Sequence, residues 1–60
     1  MNLATALATA RRRANLHDEE RYIITEHGEF DVLAEHDMEN AYYQGARVIY
    51  VVLPDGEVMS

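Results

Sequence analysis

The residues of this chain best able to do chemistry are its carboxylates, and they are concentrated. Between residues 18 and 39, Asp18, Glu19, Glu20, Glu26, Glu29, Asp31, Glu35, Asp37 and Glu39 stand against a single Arg21, a net charge of −8. Two carboxylates can divide acid and base roles when a pocket pushes their pKa values apart. Here they recur at alternating positions instead. Glu29, Asp31 and, past Leu33, Glu35 follow His27-Gly28, with Glu26 before it. Alternate residues of a strand lie on one face about 6.6–6.8 Å apart, a spacing of the same order as that of successive phosphates on a nucleic-acid strand. An exposed row of this kind attracts basic partners and repels nucleic acid and anionic membranes. It acts by field rather than by proton transfer.

Other constellations are thinner. The only serine is Ser60, there is no cysteine, and Gly28, Gly45 and Gly56 are isolated. His17, His27 and His36 each sit beside an acid. A hairpin centred on His27-Gly28 would hold His27 and His36 roughly 25 Å apart at about 3.3 Å per residue. Only His17 and His36, with Asp18 and Asp37, could then meet, and no zinc-like spacing occurs. No metal, cofactor or catalytic residue is expected, and the chain is not expected to be an enzyme. Its 60 residues argue the same way, since a domain of this size buries only about 60% of its unfolded surface and has no chain left to wall a deep pocket.

Residues 1–17 carry the opposite charge: Arg11, Arg12 and Arg13 without an acid, in a chain that has no Lys. Short Arg runs can touch phosphate, but the overall net charge of −6 weakens that reading. Solvation, or pairing with the carboxylates of residues 18–20 and the hairpin, is the expected role. The basic run follows the apolar part, the reverse of a secretory signal and closer to a transit peptide. Removing it would leave too little chain to fold unaided, so a cytoplasmic protein is expected. No stretch approaches the roughly 18 apolar residues of a spanning helix.

The elements that position these residues can be read from periodicity. Leu3, Leu7, Ala10 and Ala14 recur at helical spacing in an Ala- and Arg-rich segment, which predicts a helix over 3–16 with Asn2 as its N-cap. Residues 21–35 predict a β-hairpin. A two-residue His27-Gly28 loop needs positive φ, which Gly supplies freely and His tolerates. That register pairs Thr25 with Phe30 and Ile23 with Val32 on one face. Glu26 with Glu29, Ile24 with Asp31 and Tyr22 with Leu33 fall on the other, and Glu35 lies near Glu20.

Asp37 to Gln44 predicts a short helix with Asp37 as N-cap, Met38, Ala41 and Tyr42 on one face, and Gly45 as a left-handed cap. Tyr42 and Tyr43 cannot both face inward, so one is expected to be exposed as an interface anchor. Arg47–Leu53 is nearly continuous in apolar residues and predicts a central strand. The turn Pro54-Asp55-Gly56 leads to a last strand over 57–59. The whole is expected to be one α+β domain, a small antiparallel sheet with helices packed on it in the order α-β-β-α-β-β.

The strand-turn-strand run Tyr22–Leu33 (YIITEHGEFDVL) and the following Glu35–Glu39 (EHDME), in a minute, acidic, cysteine-free domain, resemble the small bacteriophage anti-CRISPR proteins that inhibit type I-C systems. The resemblance covers the full length and is one of character, because such families share no diagnostic motif. It implies a non-catalytic inhibitor that binds a surveillance complex, through its large PAM-reading subunit, in competition with target DNA. PAM-reading surfaces use Arg and basic channels, which a carboxylate row would fit. The expected partner-binding residues are Glu26, Glu29, Asp31, Glu35, Asp37, Glu39 and Tyr43, on a monomer that contacts neither nucleic acid nor membrane directly. An antitoxin or other small regulatory module that neutralises a basic protein would share this surface.

Overall fold

A computed structural model describes residues 1–38, 40 and 45–60. Helix α1 spans Leu3–His17, β1 Arg21–Glu26, β2 Glu29–Leu33, β3 Arg47–Val52 and β4 Val58–Met59. The four strands form one antiparallel sheet in the order β2-β1-β3-β4, with α1 against one face. This is the expected α+β class.

The helix starts where its cap predicts: the amide of Thr5 donates to the Asn2 side chain at 2.8 Å. Its buried seam keeps the expected Ala10 and Ala14, adds Ala6, and moves Leu3 and Leu7 to the margin. Ala6, Ala10 and Ala14 are fully buried, whereas Leu3 and Leu7 are only half-buried at the margin. Three alanines one turn apart let the helix backbone approach Ile23, Val32 and Val52, and at that distance a leucine has room only at the flank. Two side chains fix the helix to the β3–β4 turn: Asn15 donates to the Pro54 carbonyl at 3.2 Å and Arg11 to that of Gly56 at 3.4 Å.

The hairpin register is the one the sequence predicts, from Glu26 opposite Glu29 to Tyr22 opposite Leu33. His27 and Gly28 have φ of 53° and 80°, the paired left-handed conformation of a two-residue turn whose twist matches its strands. β3 runs between β1 and β4, as its apolar composition predicts. Its pairing with β1 slips at Ile49, since Ile23 faces Tyr50 while Ile24 faces Val48. This extra residue is a β-bulge.

Past Leu33 the expected and observed structures part. The strand ends, and Glu35–Asp37 forms a 3-10 turn. Helical backbone therefore begins two residues before the expected start at Asp37, and Ala34, which makes no side-chain cap, occupies the N-cap position. Met38 and Asn40 continue helical. The predicted helix positions Glu39, Ala41, Tyr42, Tyr43 and Gln44 lie outside the described residues.

The helix ends on Asp18, a non-glycine residue in the left-handed conformation (φ 52°, ψ 41°), with the amide of Glu19 donating to the Ala14 carbonyl at 3.1 Å. A Cβ there is strained, and a carboxylate stands at the negative end of the helix dipole. Replacing Asp18 by Gly removes both terms at some cost in chain entropy. The expected gain is about 0.5–1 kcal/mol, a rise in Tm of roughly 3–6 °C for a domain this small. Calorimetry showing an unchanged or lower Tm would mean that the Asp18 side chain contributes a stabilising contact.

Candidate binding surface

Side-chain alternation decides which way the acids point. Val32 belongs to the core under α1 and Phe30 packs against it, so Glu29 and Asp31, their neighbours in β2, face away from the helix. Glu26 joins them from across the hairpin. The three carboxylates border an open depression of about 380 Å³, lined also by Met1, Ile24, His27 and Phe30. Ile24, 4% exposed, forms its apolar floor.

Each acid has a distinct local environment. The Met1 ammonium donates to Glu29 Oε2 at 2.8 Å, and this hydrogen bond, with the positive charge behind it, holds the Glu29 carboxyl below its ordinary pKa. Asp31 Oδ1 accepts from the amide of Val32 at 2.8 Å. Glu26 Oε1 lies 3.7 Å from Nε2 of His27. Met1 does more than neutralise charge. Its backbone donates to the Phe30 carbonyl at 3.3 Å and accepts from the Phe30 amide at 3.2 Å. Together, Met1 and the Asp31 side chain engage the amides of Phe30 and Val32 along the outer edge of β2.

A second acidic group lies at the base of the hairpin. The Tyr22 hydroxyl donates to Glu20 Oε1 at 2.8 Å. That hydrogen bond to a carboxylate, with burial and the negative charges of Glu20 and Glu35, pushes the Tyr22 pKa up to about 12. The phenol is therefore a permanent donor at any physiological pH. Glu35 belongs to this group through its field on Tyr22, but it sits in the 3-10 turn. It does not continue the β2 row as the sequence predicts. Asp37 is exposed in the same turn, with Oδ1 3.5 Å from Nε2 of His36. Glu39 and Tyr43 are outside the described residues. The face thus holds Glu26, Glu29 and Asp31 at the tip and Glu20 and Glu35 at the base, separated by Tyr22 and Leu33. Glu20 was missed as a site residue, although its position two before Tyr22 places both on one side of an extended chain.

The one buried basic group faces the other way. Arg21, with a side chain 11% exposed, donates to the Glu20 carbonyl at 3.1 Å and to Glu19 Oε2 at 3.4 Å. Among the described residues no three His, Asp or Glu side chains come together as metal ligands, and no described helix is long and apolar enough to cross a membrane. What the face offers is a fixed pattern of negative charge around an apolar floor. No family model, curated protein or solved structure matches the chain.

Proposed function

We propose that the protein is a non-catalytic inhibitor that binds a nucleic-acid-binding protein complex through this acidic face, occupying positions that phosphates would take. In its most specific form it is an anti-CRISPR protein that blocks target-DNA binding by a type I surveillance complex. The observation that carries the reading is the Glu26–Glu29 pair, directly opposed across the hairpin with Asp31 beside it. Like charges so placed oppose folding, and the Met1 ammonium offsets only one of them. On this reading the cost of the pair is offset by what it binds. Fixed carboxylates suit a surface of Arg and Lys built to hold phosphates, because charge complementarity steers encounter and sets register.

The test is a competition titration against a type I surveillance complex, read by displacement of labelled target DNA. Mutual exclusion of protein and DNA is expected, with an affinity that falls as salt rises. Simultaneous binding of both, or no salt dependence, would refute the reading.

A further inference from the structure

The outer face of α1 is basic, and no carboxylate among the described residues neutralises it. Arg11, Arg12 and Arg13 are exposed on a helix without a single acid. Among the described residues the carboxylates within 4.0 Å of a basic group lie against Met1, Arg21, His27 and His36. Of the two roles expected for these arginines, solvation or pairing with residues 18–20 and the hairpin, they are exposed and the pairing is not made. Arg11 is engaged by the Gly56 carbonyl. Arg12 and Arg13 make no hydrogen bond among those of the described residues.

We propose that this face contacts the phosphodiester backbone of duplex DNA, with α1 lying along the major groove. Guanidinium forks match phosphate oxygens in pairs. A helix with its side chains is about 10–12 Å across, and the groove of B-DNA is about 12 Å wide. Consecutive helical residues point about 100° apart, so Arg11 to Arg13 span roughly 200° of the girth. With Arg11 held by the Gly56 carbonyl, Arg12 and Arg13, about 100° apart, are the pair left to reach phosphates along the groove. Toward the N-terminus, the exposed Ala4, Thr5 and Ala8 are small enough to let the helix settle.

The carboxylate face lies across the sheet from α1. The shortest dimension of the molecule is 17 Å, which sets the scale of the separation between the two faces. A second copy offering its acidic face to these arginines would pack head to tail, giving a ring or an open filament, and would show as a mass that rises with concentration. The inference does not depend on the reading of the acidic face. If both hold, the protein grips a partner and the DNA that the partner holds with opposite sides.

The experiment is fluorescence anisotropy of a labelled duplex of about 20 base pairs, long enough for the groove contact, titrated with the full chain. Saturable binding is expected at low salt. With two phosphates neutralised at a slope of about −0.9 each, a tenfold rise in salt weakens it about 60-fold. The R12Q/R13Q variant should lose at least about tenfold in affinity at low salt, through the same lost phosphate contacts, while E29K/D31K should lose none. Gln keeps helix propensity, and the same pair in the Asp18→Gly background guards against lost stability. No binding at low salt, or equal binding by R12Q/R13Q, overturns the proposal. So does equally tight binding of phosphatidylglycerol vesicles or polyglutamate, or a concentration-dependent mass increase, lost in R12Q/R13Q, without DNA binding.

Discussion

Reversing two charges on the acidic face, Glu29→Lys with Asp31→Lys, is expected to abolish binding to a DNA-reading partner while leaving the domain folded. The two side chains point away from the α1 core, and both are exposed. Reversal turns the Glu26–Glu29 repulsion into an attraction, a gain of a few tenths of a kcal/mol across the strands. It removes the Met1 ion pair, whose exposed geometry limits what is lost. At the interface the sign is opposite. Juxtaposing like charges costs several kcal/mol in affinity, which is at least about a hundredfold. The check is the DNA-displacement titration repeated with the double variant, with circular dichroism to establish its fold. A folded variant that binds as well as the parent would reduce the acidic face to a solvated coat.

The largest effect on stability is expected from a single added branch on the buried helix seam. Ala10→Leu forces three more carbons between the helix and Ile23, Val32 and Val52, where Ala10 has no exposed surface. Overpacking of this kind costs about 1–3 kcal/mol and sometimes more. A 60-residue domain has only about 3–9 kcal/mol in total at 0.05–0.15 kcal/mol per residue. The Tm should therefore fall by roughly 5–20 °C. Ala8→Leu, the same change on the exposed side of the helix, should stay within about 0.5 kcal/mol of the parent. Thermal unfolding of the two variants side by side is the measurement. Equal Tm values would mean that the helix does not seat on the sheet through its alanines.

The helix seam was half legible: Ala10 and Ala14 lie in the stripe read from the sequence, and Ala6 does not. Hydropathy weights leucine above alanine, so it centres the stripe on Leu3 and Leu7, whereas close approach of the backbones gives the centre to Ala6, Ala10 and Ala14. The hairpin was legible to the residue because its two-residue turn admits one register, and alternation then sorts the acids from the core. This placed Glu26, Glu29 and Asp31 correctly on one face. Glu35 was misplaced because nothing in Ala34-Glu35-His36 signals that the strand stops at Leu33. The bulge at Ile49 and the ties from Arg11 and Asn15 to the distant turn arise between segments far apart in sequence. Local pattern carries no information about them. The ammonium that lowers the Glu29 pKa is likewise a long-range contact, made across 28 positions.

The occupied outer edge of β2 has a consequence for how this surface can change over generations. With the amides of Phe30 and Val32 engaged by Met1 and Asp31, contact at this strand goes through side chains, and main-chain pairing with an added strand is not on offer there. Under the proposed reading, specificity would reside in carboxylates of two kinds: Glu26 can be exchanged without touching this edge, whereas Glu29 holds Met1 and Asp31 holds the Val32 amide. An exposed acid can be exchanged at little cost in stability, so a shift in a partner's charge pattern can be followed one codon at a time.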